Sequence, residues 1–241
     1  MNETLRLAIL ISGSGSTAEA IIKASQKDGV LFQKIKPIVV FSSKSDALGI
    51  EKAQRLGIPV EIVPRKNFPF NEEGRNLYGD ELERRLKKYN PDYLSQNGWL
   101  SITPDNVIFQ YENKIFNQHP GPTEFGGKGM HGLAVHAAVL KFQQLTNRVF
   151  PTEASIHRVS SVVDSGVVVA RQNVDVYDHD TAESLAARVL PVEHALQLLF
   201  WKDVYEGYIV ELHRQKPLIK SGEEDFLQQA IIYARQKYPK G

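Results

Sequence analysis

Apolar residues in the first half of the chain gather into short runs, separated by stretches whose spacing is helical. Leu5 to Ile11 is an apolar run interrupted only by Arg6, as expected of a strand covered on both faces. Gly13-Ser14-Gly15-Ser16 follows, then a helical pattern from Thr17 to about Lys27. Pro37 to Ser42 predicts a second strand, Asp46 to Leu56 a helix closed by Gly57, and Pro59 to Val63 a third strand. Asn71 to Tyr89 is a charged amphipathic helix ended by Asn90-Pro91. Asp92 to Ser95 and Lys114 to Gln118 complete the strands of this half. Such alternation predicts an α/β fold built on a doubly wound, mostly parallel sheet.

The second half is mixed. Residues 121–132 are rich in glycine and proline and form a loop, followed by a helix over His131 to Leu145. Ala154 to Val163 and Val167 to Val176 predict an antiparallel hairpin joined across Asp164-Ser165-Gly166. Thr181 to Tyr205 is a helix with Pro191 as a kink or interruption, and Tyr208 to Leu212 a last short strand. Ser221 to Tyr238 is a helix whose start carries a capping-box pattern, Ser221 with Glu224. No repeat or linker appears. A single domain over 1–241 is expected, with an N-terminal half to about 110 and a C-terminal half from about 111.

Composition narrows the function classes. The 241 residues carry a formal net charge of +1, which gives no global field for nucleic acid or an anionic membrane. The densest basic cluster, Arg84-Arg85-Leu86-Lys87-Lys88, shares its helix with Glu81 and Glu83 and reads as a solvated face. Cysteine is absent, which excludes disulfides, thiolate metal sites and cysteine nucleophiles. The Leu7 to Ile11 run is too short to span a membrane and lacks signal-peptide shape, so the cytoplasm is the expected location.

Two segments carry candidate chemistry. Lys114 to Pro120 is an apolar run ending in Asn117, Gln118 and His119, and strand alternation puts Asn117 and His119 on one face. Asp164 stands at a turn before the apolar run Val167 to Ala170. An amide donor, a titratable imidazole and an orienting carboxylate are what acyl transfer requires. The Gly13-Ser14-Gly15-Ser16-Thr17 turn, between a buried strand and a helix, suits a phosphate. With Ala18 it also fits the loose dinucleotide pattern G-x-G-x-x-A. The second strand, however, ends in Ser42-Ser43-Lys44 without the acidic residue that NAD wants, although NADP would tolerate this. His131 and His136 are five apart and do not share a helix face, so no metal is expected.

Five segments occur in a familiar order: ISGSGS (11–16), FSSKSDALGIEKAQRLGIP (41–59), FNQHPGP (116–122), SIHRVSSVVDSGVVVARQNVDV (155–176) and ARVLPVEHAL (187–196). From Leu7 to about Tyr208 the chain resembles the glycinamide ribonucleotide formyltransferases, within the folate-dependent formyltransferase superfamily. The resemblance implies a Rossmann-like formyltransferase fold and formyl transfer from the co-substrate 10-formyltetrahydrofolate to the amine of glycinamide ribonucleotide, in purine biosynthesis. It implies catalysis by Asn117, His119 and Asp164, with protonated His119 and Asn117 donating to the oxyanion and Asp164 raising the His119 pKa. Gly13, Ser14, Gly15, Ser16 and Thr17 would hold the substrate phosphate, and Glu193 would bind the nucleotide substrate. Gly98, Trp99, Leu100, Ser101 and Ile102, with Ser161, Val162 and Val163, would wall the folate pocket. The partners implied are these small molecules, with no nucleic acid or membrane, for a monomer or homodimer.

The chain departs from the family pattern in places. No basic residue stands in 97–104, where relatives place an arginine against folate, and Lys128 is a substitute cation. The loop GPTEFGGKGMHGLAVH (121–136) reads as a mobile lid or a reshaped entrance, Thr146 to Thr152 as an insertion, and Thr17 replaces the usual asparagine. His157 either lines the site or is a buried partner of the hairpin, and Trp99 is either pocket wall or core. Alternatives within the superfamily are an amino-sugar nucleotide acceptor or a formyltetrahydrofolate hydrolase, the latter usually carrying a further regulatory domain. A methionyl-tRNA formyltransferase would bring an extra domain and more positive charge. An alternative of another class is a non-catalytic protein holding a nucleotide or NADP.

Overall fold

The computed structural model describes residues 3–241. Its strands are β1 Leu5–Ile11, β2 Ile35–Ser42, β3 Val60–Ile62, β4 Tyr93–Gln96, β5 Ile115–His119, β6 Thr152–Arg158 and β7 Val168–Val174. They form one sheet in the order β3-β2-β1-β4-β5-β6-β7. The pairs β3–β2, β2–β1, β1–β4 and β4–β5 are parallel, and β6–β7 is antiparallel. The helices are α1 Ser16–Ser25, α2 Gly49–Arg55, α3 Glu72–Tyr89, α4 Asp105–Gln110, α5 Leu133–Thr146, α6 Ala182–Glu206 and α7 Glu224–Lys237. This is the mostly parallel α/β arrangement expected from the alternation of runs. The chain divides into two compact units. One comprises the chain up to Gln118, Arg158–Ser161 and Gln197–Ile209; the other comprises His119–His157, Val162–Leu196 and Val210–Gly241.

In the first unit β1 is central, and its last five residues are buried. Leu10, Phe41 and Leu94 of adjacent strands pack on Tyr78, Leu82 and Leu86, which lie four apart on one face of α3. The Asn71 side chain accepts from the Gly74 N–H at 2.9 Å and caps α3, and Asn90 closes it in the left-handed conformation. The basic cluster on α3 is largely paired: Arg84 and Arg85 both reach Glu81, and Arg85 also reaches Glu61. The Phe116 ring of β5 packs against Phe200 and Trp201 of α6. Below it, Trp201 Nε1 donates to Gln197, whose side chain donates to Gln118, both at 2.9 Å. α6 thereby engages Phe116 and Gln118, alternate residues of β5, and alternation leaves Asn117 and His119 on the opposite face.

In the second unit α5 packs through Ala138, Val139 and Phe142 against Ala230, Ile231 and Ala234 of α7. Arg214 draws the 210–219 segment onto this unit, with Nε donating to Glu124 and a terminal nitrogen to Glu153, each at 2.7 Å.

Several expectations need correction. Tyr208 to Leu212 is not a strand; its tie to β7 is the Leu212 N–H donating to the Val168 carbonyl at 2.8 Å. The Ser221 capping box does not form, because α7 begins at Glu224 and the Glu224 side chain instead accepts from the Gly222 N–H. The β6–β7 connection runs over 159–167, longer than the Asp164-Ser165-Gly166 turn. Of the kink or interruption expected at Pro191, no interruption occurs: α6 continues through it as one helix, although proline leaves the Ala187 carbonyl without its helical donor. The short helix α4 was not anticipated.

Candidate functional site

The glycine-rich turn links β1 to α1. Gly15 sits at the α1 N-terminus with φ 63°, a left-handed conformation that glycine adopts without strain, and no side chain caps the helix there. A Cβ on Gly15 would lie 2.6 Å from the Gly49 Cα, so two backbones meet at this point. The first-turn amides of a helix such as α1 are donors suited to an anion. Glu19 lies in the same turn, but Lys23 at 2.7 Å and Lys52 at 3.0 Å pair with it. These cations hold its carboxyl down at about 2.

The turn is joined to the 98–102 segment. Ser12 N–H donates to the Gly98 carbonyl at 2.9 Å, and the Leu100 N–H donates to Ser12 Oγ at 2.8 Å. Within the segment Trp99 is 7% exposed and stacks on Tyr78 in the core, whereas Leu100 and Ile102 are each 42% exposed. Ser161 and Val162 are exposed and Val163 is half-buried, all in the β6–β7 connection. Glu193 is half-buried in α6, two residues after Pro191. Lys128 is exposed in the glycine-rich loop.

His119, at the end of β5, is 2% exposed. Its Nδ1 lies 3.9 Å from Asp164 Oδ2, so the structure brings these two predicted residues together. The carboxylate is shared: His157 Nε2 approaches Asp164 Oδ1 at 3.4 Å, and the Gly127 N–H donates to Oδ2 at 2.8 Å. Asp164 itself is left-handed, with φ 56°, a conformation aspartate tolerates better than most residues. His157 is 2% exposed and stands on β6 beside a register shift between Ile156 and His157. Its even-handed reading as site or hairpin residue resolves toward the carboxylate. The sequence signal was its place seven residues before Asp164, across the connection.

Burial pulls the His119 imidazole down to about 4, against the opposing pull of Asp164. Asp164 pulls the imidazole up, in the expected direction, while removal from water acts the other way and more strongly. Burial pushes Asp164 up, but the His157 hydrogen bond, the neighbouring His119 and the Gly127 N–H together hold it below the usual aspartate range. His136 of α5 is also 2% exposed and is lowered to about 4 by burial, with His119 adding to the shift. Among the described residues no group of three or more His, Asp or Glu side chains is placed to hold a metal ion. No helix among them is long and apolar enough to cross a membrane.

Residues 5–199 match the family profile described as formyl transferase. The chloroplastic phosphoribosylglycinamide formyltransferase of Vigna unguiculata is 35% identical over 90% of this chain and 66% of its own length. The phosphoribosylglycinamide formyltransferase of Schizosaccharomyces pombe is 33% identical over 79% of this chain and 92% of its own. The chain thus spans slightly under two thirds of the plant relative and nearly all of the yeast one. Among solved structures, glycinamide ribonucleotide transformylase 1 of Symbiobacterium toebii superimposes with a TM-score of 0.73 at 26% identity, over 88% of this chain and 92% of that one. A profile match over most of the sequence, with the mostly parallel sheet and the imidazole–carboxylate pair at the end of β5, establishes that the chain belongs to the formyl transferase family.

Proposed function

We propose that this protein is one formyltransferase domain that moves a formyl group from 10-formyltetrahydrofolate to the primary amine of glycinamide ribonucleotide, a step of purine biosynthesis. The observation that carries the proposal is the His119–Asp164 pair at the end of β5, two residues beyond Asn117, in a chain of this family. The substrate phosphate lies on the Gly13 to Thr17 turn, whose α1 amides have no side-chain cap. Leu100 and Ile102 offer exposed apolar surface to the pterin, in the segment that also holds Gly98, Trp99 and Ser101. Glu193 contacts the ribonucleotide, and Lys128 substitutes for the arginine that the 97–104 segment lacks.

The chemistry follows from the charge states. The amine nitrogen attacks the formyl carbon, and negative charge develops on the formyl oxygen. The Asn117 amide donates to that oxygen. His119 is neutral, and the carboxylate facing Nδ1 favours the tautomer protonated there, leaving Nε2 as the basic nitrogen. It accepts the proton that the amine sheds on attack. The imidazolium so formed lies beside ionised Asp164, and collapse of the intermediate returns the proton to the departing folate nitrogen. One amine C–N bond forms, one folate C–N bond breaks, and no redox change occurs. Both substrates are small molecules, the site of action is the cytoplasm, and the protein acts as a monomer or homodimer.

The test is an absorbance assay with a 10-formyl folate, with and without glycinamide ribonucleotide, beside His119→Ala. Ribonucleotide-dependent deformylation that disappears in the variant is expected. Deformylation without acceptor would indicate a hydrolase instead, and none with either would overturn the proposal.

A further inference from the structure

The glycine-rich loop after β5 contains five glycines, at positions 121, 126, 127, 129 and 132, but they do not serve one purpose. Gly129 and Gly132 have φ of 81° and 53°, where glycine is favoured for the backbone alone. Gly126 is different. Its φ of −83° and ψ of −163° are open to any residue, so conformation does not require glycine there. What excludes a side chain is Asp164: a Cβ on Gly126 would lie 2.6 Å from Asp164 Cβ and 2.8 Å from its Oδ2, as well as 2.9 Å from the Thr123 carbonyl. The next residue, Gly127, donates its N–H to the same Oδ2 at 2.8 Å. The carboxylate is therefore seated on the bare backbone of residues 126 and 127, and from that seat its two oxygens face His119 at 3.9 Å and His157 at 3.4 Å.

We propose that the Gly126–Gly127 backbone is a positioning element of the reaction: it seats the Asp164 carboxylate and fixes its distance to His119. This rests on the formyl-transfer reading given above and deepens it. The loop read from sequence as a lid or entrance then has a definite task, holding the base's counter-charge in place. No nucleophile, acid or base is added to the mechanism. A displacement of about 1 Å in a group bearing on the reacting atoms costs a rate factor of roughly 10². The charged and titratable groups facing this carboxylate are His119 of β5 and His157 of β6, and His119 in turn faces Glu124 and His136.

Gly126→Ala tests the seat and Gly129→Ala controls for the loop. A Cβ on Gly129 meets nothing closer than Arg235 Nε at 3.7 Å, so that variant strains the backbone without touching Asp164. Gly126→Ala is expected to lower kcat roughly 10²-fold, with KM for the ribonucleotide within about threefold. Its acid limb, set by protonation of His119, should move downward in pH, because the carboxylate that favours the imidazolium is displaced. Gly129→Ala is expected to keep kcat within about threefold, with the acid limb unmoved. Imidazole NMR titrations of the unliganded proteins give a readout independent of turnover. Gly126→Ala should shift the titration of His119, and Gly129→Ala should leave it in place. Equal losses in both variants, or an unmoved His119 titration in Gly126→Ala, would overturn the proposal. A wild type without formyl transfer but with the expected NMR shifts would instead overturn the reaction assigned to the site.

Discussion

Replacing Asp164 with asparagine keeps the shape of the side chain and an acceptor oxygen for the Gly127 N–H, but removes the charge beside His119. That charge matters only when His119 becomes an imidazolium, which at neutral pH happens as the amine proton arrives. At the observed 3.9 Å, with an effective dielectric of about 20, the attraction between the two unit charges is about 4 kcal/mol. If proton transfer is half complete in the transition state, about 2 kcal/mol is lost on substitution, a rate factor of roughly 30. Full transfer raises the factor to roughly 10³. Steady-state formyl transfer by Asp164→Asn should thus show kcat reduced between about 30- and 1000-fold, with KM for the ribonucleotide changed less than about threefold. The His119 imidazole, already lowered to about 4, should titrate lower still in the variant. A kcat within about threefold of wild type, in a variant with an unchanged melting temperature, would refute the stabilising role of the carboxylate.

Other expectations concern the frame around the site. Gly15→Ala places a Cβ 2.6 Å from the Gly49 Cα at a positive φ, so thermal melting should reveal a loss of at least about 2 kcal/mol, roughly 4–8 °C. A melting temperature within about 1 °C of wild type would contradict the close approach of the two backbones. Trp201→Phe leaves the buried Gln197 acceptor without its donor and should cost about 1–3 kcal/mol in denaturant unfolding, with kcat unaltered within about twofold. An unchanged midpoint would show that this bond carries nothing. His136, lowered to about 4 when folded, binds its proton more readily when unfolded. Its contribution is complete above about pH 6.5 and is lost as pH falls toward about 4, by up to about 1.4 kcal/mol per pH unit. His136→Gln should flatten the stability–pH curve in that window, and an identical slope would contradict the buried neutral imidazole.

The sheet was legible because its strands are short apolar runs bounded by turn residues, as in Leu5–Ile11 and Ile35–Ser42. α3 was legible from its apolar spacing and its asparagines at both ends. Tyr208 to Leu212 has strand composition, but composition does not say whether a partner's backbone is within reach, and the Leu212 N–H bond to Val168 of β7 does not extend into a ladder. The Ser221–Glu224 spacing matched a capping box, yet Glu224 turned to the Gly222 N–H and the helix began later. At the site, the sequence supplied His119 and Asp164 as types and spacing. It did not supply the burial that pulls the His119 imidazole down, because that depends on packing from distant segments. His157 was visible only as a candidate, and the seat at Gly126 was hidden because its backbone angles are ordinary. What requires glycine there is a residue 38 positions away, Asp164.

The most direct measurement follows the carbon itself. Protein is incubated with glycinamide ribonucleotide and a 10-formyl folate labelled with ¹³C at the formyl carbon, and the products are read by mass spectrometry. The expected result is the label on the amine of the ribonucleotide with wild type and its absence with His119→Ala. Label remaining on folate, or released as formate without entering the ribonucleotide, would contradict formyl transfer to this acceptor.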